Sequence, residues 1–261
     1  MRPLNLFSRA NKSEYLARIP PTSLLGKALR APLRLIPRGA EVRILQGPLR
    51  GMRWMAGSGN HAYWLGTYEL DKQKLFFSSI EKGSVVYDLG AHVGYYSLLA
   101  SRAVGATGRV VCFEPSPRNT GCLRRHLQLN GISNCDIIEA AVSSSDGIAF
   151  FEPGPNSCAG SLARESTEAA PVRTVSLDRM VFSGEAPSPR VVKCDIEGGE
   201  YEALLGARAT FERFAPLIFL ATHDPEGHRR CCDFLSSLGY QLFALDATSV
   251  TESSELLATR T

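Results

Sequence analysis

No stretch of the 261-residue chain approaches the roughly 20 consecutive apolar residues that a membrane-spanning helix needs; the longest runs, such as Pro216 to Ala221 (PLIFLA), are far shorter. A transmembrane segment is therefore not expected. The N-terminus, MRPLNLFSRANKSEY, lacks the continuous apolar core and small-residue cleavage site of a secretory signal, so a cytoplasmic location is expected. Seven cysteines include no C-x-x-C pair, which argues against a zinc site or a disulfide framework; the adjacent Cys231 and Cys232 read as helix filler. No internal repeat stands out. Two nucleotide-binding signatures are also missing: no G-x-G-x-x-G follows a strand, and no P-loop lysine is present. Without the middle glycine a dinucleotide pyrophosphate cannot approach the backbone closely, which weakens a nicotinamide or flavin reading. The missing lysine disfavours an ATPase.

What is present begins with an uneven charge distribution. The net charge is +3, yet residues 1 to 60 hold eleven Lys and Arg against only Glu14 and Glu41. Such an arm can lean on nucleic acid, on an anionic membrane surface or on an acidic substrate, or it can be a solvated extension. Pro20, Pro21, Pro32 and Pro37 break it, leaving one short amphipathic stretch, Ser23 to Leu35. Residues 1–60 are read as a basic, partly ordered extension, 61–247 as the main domain and 248–261 as a C-terminal tail. Within the extension, Glu41 to Trp54 alternates as a hairpin does, with GPLRG as its turn.

From Tyr68 the pattern becomes regular. A helical spacing over Tyr68 to Ile80 leads into VVYDLG (85–90) and a helix from about Tyr95. RVVCFEP (109–115) precedes a helix over Arg118 to Leu129, and CDIIEAAV (135–142) reads as the third strand. Ser143 to Ser188 reads as loops and small antiparallel strands. Then come RVVKCDIE (190–197), a helix from Glu200 to about Phe214, PLIFLATH (216–223), a helix over Gly227 to Leu238 and YQLFALD (240–246). Short apolar strands alternating with amphipathic helices imply a doubly wound α/β fold of Rossmann type, with a mostly parallel sheet and an N-terminal accessory segment.

Ligands of such sheets bind beyond the carboxyl ends of the strands, so the strand ends carry the chemistry. The first ends in Asp88-Leu-Gly90-Ala91-His92-Val-Gly94, where Gly90 allows a sharp turn and Gly94 lets the helix begin close to a ligand. The second ends in Phe113-Glu114-Pro115; a carboxylate there can accept from both hydroxyls of a ribose, or can be a helix N-terminal acid. The third ends in Glu139-Ala140-Ala141-Val142, small residues that leave room for an aromatic ring.

Taken together, Asp88-Leu-Gly-Ala-His-Val-Gly94, Phe113-Glu-Pro-Ser-Pro-Arg-Asn119, Asn130-Gly-Ile-Ser-Asn134 and Lys193-Cys-Asp-Ile-Glu-Gly-Gly-Glu200 resemble the successive motifs of the FkbM-type methyltransferases, a branch of the class I enzymes that use S-adenosylmethionine (SAM). The resemblance spans roughly residues 60 to 245, and Gly57 to Glu69 also resembles the segment preceding the first strand in that family. It implies that Asp88 and the amides of Gly90, Ala91, His92 and Gly94 hold the methionine part of SAM. Glu114 with Pro115 would meet the ribose, and Ser116 with Ala141 the adenine edge. A sulfonium calls for carboxylates and aromatic faces rather than phosphate-cradling lysines, and Asp88, Tyr95, Glu114 and Asp195 supply them. The acceptor class the resemblance implies is a hydroxyl on a sugar, a glycan or a secondary metabolite.

The catalytic candidates are Asp195 and Glu197 after the fourth strand and His223 after the fifth, as anchors for the SAM amino group or acceptors of the hydroxyl proton. Glu200, opening the following helix, reads as an acid complementing the helix dipole. A divalent ion such as Mg²⁺ held by Asp195 with His223 or Asp224 could instead lower the pKa of the hydroxyl; without a metal, His223 is a base near neutral pH. The family often has a glutamate two residues before this histidine, where the chain has Ala221, and asparagine where it has His92. Tyr63, Trp64, Tyr68 and Glu69 are expected to close over cofactor or acceptor, or to anchor the N-terminal segment. Two rival readings stay open: a nucleic-acid methyltransferase gripping phosphate with the basic arm, against which no Asn-Pro-Pro-Tyr-type motif follows strand four, and a non-catalytic SAM-binding module held at a membrane surface by that arm.

Overall fold

The computed structural model describes residues 23, 35–153, 160–163 and 170–260. Most of the basic arm, the interior of the expected amphipathic stretch from Ser23 to Leu35, and Cys158 lie outside the described residues. The described chain divides into two compact units after Leu70.

In the first unit, β1 (Glu41–Arg43) and β2 (Arg53–Met55) pair antiparallel as the expected hairpin. Helix α1 (His61–Leu65) follows; the Asn60 side chain accepts from the Ala62 N–H at its start, and Gly66 ends it at φ 73°. A Cβ on Gly66 would lie 2.3 Å from the Gln46 carbonyl oxygen, so only glycine fits there. The boundary expected after residue 60 falls inside this unit. The reason is packing: the Leu45 N–H donates to the Trp64 carbonyl, and the rings of Trp54 and Tyr63 lie 5.5 Å apart.

The second unit begins with α2 (Leu70–Ser78), β3 (Val85–Leu89), α3 (Tyr95–Val104), β4 (Arg109–Phe113), α4 (Pro117–Leu129) and β5 (Cys135–Ile138). It continues through β6 (Ala141–Val142), β7 (Gly147–Pro153), β8 (Gly160–Ala163), β9 (Ala170–Val175) and α5 (Leu177–Phe182). The rest is β10 (Val191–Cys194), α6 (Glu200–Leu205), α7 (Arg208–Phe214), β11 (Leu217–Ala221), α8 (Pro225–Ser237), β12 (Gln241–Ala244) and β13 (Glu255–Thr259). A seven-stranded sheet has the order β12-β13-β11-β10-β3-β4-β5, and β6-β9-β7-β8 form a second, four-stranded one. In the large sheet β11, β10, β3, β4 and β5 run parallel, as the apolar runs imply.

Three boundaries depart from expectation. The run 135–142 is two strands in two sheets, and β6 pairs parallel with β9. The helix expected over 200–214 is broken into α6 and α7 at Gly206, where a Cβ would meet the Ser143 carbonyl oxygen at 2.1 Å. The expected tail contributes β13, which lies antiparallel between β11 and β12 with Leu256 and Ala258 fully buried.

Side chains alternate across the sheet. One face, with Tyr87, Leu89, Phe113, Val192, Ile218 and Leu220, is covered by Ala203, Leu204, Phe211, Phe234 and Leu235; each such large side chain removed from water stabilises the fold by about 1.5–3 kcal/mol. The other face carries Asp88, Lys193 and Phe219 as register neighbours. There Phe76 of α2 packs on Phe219 and on Tyr96 at 5.1 and 5.2 Å between ring centres. A charged pair is thus placed in the middle of an apolar face, at the sheet's centre. The chain winds outward from β3 in one direction and from β10 in the other, so the crevice between these two strands is the switch point where α/β sheets bind ligands.

Candidate functional site

Two turns meet at that crevice. The turn after β3 bends at Gly90 (φ 76°) and Gly94 (φ 92°) and holds His92 in the left-handed region at φ 50°; the turn after β10 holds Glu197 there at φ 57°. Each non-glycine residue in that region costs about 1–3 kcal/mol, and such strain collects at functional sites. The turns touch, since a Cβ on Gly90 would come 2.0 Å from the Asp195 carbonyl oxygen, and a Cβ on Gly94 would strike Leu123 at 2.3 Å. Beneath the first turn, His126 is buried with Nδ1 2.7 Å from the Val93 carbonyl oxygen. Burial holds this imidazole at about 4, so it is neutral and acts as the donor.

The turn's amides are already engaged. Gly90 and Ala91 both donate to the Phe113 carbonyl at 3.0 and 2.9 Å, and Gly94 donates to Ala91 at 2.8 Å. The His92 amide donates to Glu114 Oε2 at 2.9 Å. These bonds brace the turn against β4. Carboxylates stand beside the turn, Glu114 against the His92 amide and Asp195 after β10, and they suit a cation better than a phosphate.

Glu114 is buried at the end of β4. Besides His92, its carboxylate takes the Ser116 amide at 2.9 Å and Asn119 Nδ2 at 3.2 Å. Burial raises its carboxyl above the ordinary value while these donors oppose the rise. Asn119, which its place near the start of α4 suggests as a cap, is therefore part of the Glu114 cradle. Ser116 is the N-cap residue of α4 and Pro115 stands half-buried beside it. Ala141 lies not on the third strand of the large sheet but on β6, buried and paired with Thr174.

Asp88 is fully buried. Ser97 Oγ donates to its Oδ2 at 2.7 Å, Lys193 Nζ stands 3.8 Å from Oδ1, and Oδ1 has no hydrogen-bond partner. Burial pushes this carboxyl up, with Lys193 and Ser97 resisting. Tyr95, expected to face the cofactor, is buried with its hydroxyl donating to Gln73 Oε1 at 3.2 Å; it belongs to the packing of α3 against α2.

The acids after β10 form one cluster with the histidine after β11. Lys193 Nζ is 3.2 Å from Asp195 Oδ2. His223 Nε2 is 3.4 Å from Asp195 and 3.5 Å from Glu197, and its Nδ1 lies 2.8 Å from Glu200 Oε1. Burial alone would raise the Asp195 carboxyl, but Lys193, Lys72 and His223 together pull it down to about 2. Glu197 moves upward, through burial first and then the neighbouring Asp195 and Glu200, against the pull of His223. His223 is lifted to about 9, chiefly by the hydrogen bond to Glu200 and against its own desolvation. The surrounding carboxylates favour the protonated ring near neutral pH, which weighs against a role as a neutral base. Asp224, the other expected metal ligand, accepts from the Gly227 amide at 2.7 Å as the N-cap of α8. Asp195, Glu197 and His223 each bring one ligand-type atom within 4.8 Å of the others.

Two residues here, Lys193 and Lys72, have no role in the sequence reading, and a third, Glu200, is read there as a helix-opening acid. Lys193 and Lys72 lie within an apolar run and an exposed-looking helix. Only register could have exposed Lys193, as the charged residue facing Asp88 across two adjacent strands. Lys72 also pairs with Glu255 of β13 at 2.5 Å.

In the first unit, Tyr63 and Trp64 are buried. Tyr63 packs 4.6 Å from Tyr68, and the Trp64 indole N–H donates to His61 Nδ1 at 3.2 Å. Tyr63 and Trp64 are thus core residues of that unit rather than open faces. Tyr68 and Glu69 are half-buried, with Glu69 at φ 43°.

Residues 88–242, more than half of the chain, match the model of the methyltransferase FkbM domain. The chain is 31% identical over 138 residues to the hexuronic acid methyltransferase AglP of Haloferax volcanii. That match covers 53% of this chain and 56% of the relative, so the chain spans little more than half of the relative's length. The fold resembles the crystal structure of methyltransferase FkbM from Methylobacillus flagellatus, at 17% identity and a TM-score of 0.50, over 77% of this chain and 56% of that one.

Proposed function

Because the chain belongs to the FkbM methyltransferase family, we propose that it is a SAM-dependent O-methyltransferase whose acceptor is a hydroxyl on a sugar or glycan, with a secondary metabolite as the wider class. The observation that carries this reading is the turn whose amides are engaged internally, set against a cluster of carboxylates. Glu197 and Asp195 offer carboxylates to the positively charged parts of SAM, while the buried Asp88 pairs with Lys193 beneath them. Glu114 with Pro115 would hold the ribose and Asp195 the amino group, with Ser116 and Ala141 at the adenine edge. When bound, SAM supplies a methyl group on a positively charged sulfur; as the acceptor oxygen takes the methyl, the sulfur keeps the bonding pair and becomes neutral, and the hydroxyl proton passes to the protein.

The chain's own groups divide that work by charge. Asp195, held ionised by two lysines and His223, is a weak base and a strong anchor for an ammonium. Glu197, with its carboxyl raised and its side chain about one-third exposed, is the better proton acceptor, since base strength grows as the pKa approaches the working pH. Most of the rate comes from alignment in the crevice.

The donor set does not suit Mg²⁺. A hard cation takes oxygen ligands and keeps several waters, whereas here one of the three ligand-type side chains is a histidine and Asp195 is already paired with Lys193. We read the cluster as neutralised by its own cations. Among the described residues no helix is long and apolar enough to cross a membrane. The sugar class draws support from the name of the Haloferax volcanii relative.

Thermal unfolding with S-adenosylhomocysteine (SAH) and with NAD tests the cofactor, because only a ligand of the folded state raises the Tm. A rise with SAH alone is expected; a rise with NAD alone would overturn the reading. Radiolabelled SAM with hexuronate-containing oligosaccharides, neutral oligosaccharides and RNA then tests the acceptor. Label in RNA rather than sugar would favour the nucleic-acid alternative, and SAH binding with no labelled product in a cell extract would favour the non-catalytic one.

A further inference from the structure

Resting on the reading of this cleft as a methyl-transfer site, we propose that Glu200 is a positioning residue that fixes His223 and the turn 196–198, leaving Glu197 as the group that takes the acceptor's proton. Glu200 opens α6, yet its side chain is turned away from solvent and only 3% exposed. A single oxygen, Oε1, gathers His223 Nδ1 at 2.8 Å, the Gly198 amide at 3.0 Å and the Ile196 amide at 3.3 Å. A helix-opening acid complementing a dipole needs none of this, since its benefit comes from solvent-exposed proximity to the first turn.

These three bonds have two consequences. The amides of Ile196 and Gly198 flank Glu197, so Glu200 pins both sides of a residue held at φ 57°, a conformation that persists only where the surroundings impose it. The bond to Nδ1 sets the ring's orientation and points Nε2 between Asp195 and Glu197. The groups facing His223 are Asp195 and Glu197 from the β10 turn and Glu200 from α6. Lys193 and Lys72 stand behind Asp195, and the Cys194 and Cys231 thiols lie near Glu200. Glu200 stands against Nδ1, and Asp195 and Glu197 face Nε2, so the form that can donate to all three sides is the one protonated at both nitrogens. An imidazolium has no lone pair to receive the hydroxyl's proton. Glu197 does, and His223 beside it holds its carboxylate in place.

The test uses the full chain, Glu200→Gln and Glu200→Ala, with ¹⁵N-detected imidazole NMR of His223 and SAH binding by calorimetry. In wild type both His223 nitrogens are expected to be protonated at pH 7.5; a neutral ring there would overturn the proposal without any variant. In Glu200→Gln, which keeps a side-chain oxygen for the two amides, the His223 midpoint should fall by about one pH unit or more, as loss of a charged hydrogen-bond partner implies. SAH affinity should stay within about threefold of wild type, since Glu200 touches no proposed cofactor group. With a labelled product in hand, turnover should fall about tenfold or more with little change in the KM for SAM. An unchanged His223 midpoint in a folded Glu200→Gln would sink the assignment, and Glu200→Ala extends the test by removing the amide acceptor as well. Failure of wild type to bind SAH would overturn the methyl-transfer reading and the role of Glu197 with it, whatever His223 does.

Discussion

The Asp195 carbonyl oxygen lies directly over Gly90, 2.0 Å from where a Cβ on that glycine would stand. The first and fourth parallel strands therefore deliver their loops into contact, and neither loop can be remodelled alone. Gly90→Ala would add a methyl group against backbone at φ 76°. It is expected to destabilise the fold by about 2–4 kcal/mol, measured by urea unfolding, and to lower SAH affinity. A loss below about 0.5 kcal/mol would show that the turn yields easily.

Glu114→Gln replaces one acceptor oxygen by an NH₂ group facing the amides of His92 or Ser116. Because a buried donor left unpaired costs about 1–3 kcal/mol, this variant should weaken both the fold and SAH binding. A variant that loses affinity at wild-type stability would show a role in ribose contact alone. Wild-type affinity would remove Glu114 from the cofactor site.

Much of this architecture is legible in the sequence, and the parts that are not share a physical cause. VVYDL, RVVCF, VVKC and LIFLA announce buried parallel strands because burial on both faces demands continuous apolar runs. The strand Glu255–Thr259 is short and follows the polar run TSVTESS, so nothing local distinguishes it from a tail. Gly206 breaks a helix because Ser143, far away in sequence, passes against it. The acids after β10 are visible from their strand-end positions, but the state of His223 depends on Glu200, 23 residues distant, and the ionisation of Asp195 on Lys72 and Lys193. Long-range electrostatics is the layer that a single sequence hides most completely.

Lys193→Met should be strongly destabilising, by about 3–5 kcal/mol, since removing one partner of a buried pair leaves the other charge uncompensated. Its ammonium is 5% exposed and serves Asp88 and Asp195 together. Combining it with Asp88→Asn should recover part of the loss, which denaturant melts of the two variants can compare. No recovery would mean that Asp88 and Lys193 are not energetically coupled.

The His223 midpoint near 9, above its ordinary 6.5, fixes the sign of a pH effect. A raised folded-state value contributes stability that is fully present below 6.5 and is lost as the pH rises through about 9. The lowered Asp195 works in the acid range: its contribution is present above 3.8 and is lost as the pH falls through about 2. Wild type should therefore lose stability between pH 6.5 and 9, and His223→Gln should flatten that slope. An equal slope in both proteins would place the titrating group elsewhere.

Prolonged EDTA treatment should leave SAH binding and methyl transfer unchanged, because the acids are paired with Lys193 and a protonated His223. Loss of activity, with recovery on adding Mg²⁺ or Mn²⁺, would show that a metal displaces those cations during turnover.

Strand β13 is made after β12 but lies between it and β11. During synthesis, β12 leaves the ribosome with no neighbouring strand to pair with and must wait until residue 259 has been added. The nascent domain therefore holds an open slot beside β11, a ready edge for another strand, until its own chain fills it. Proteolysis or a deletion that removes β13 would leave that slot permanently vacant, turning the loss of one five-residue strand into an aggregation hazard.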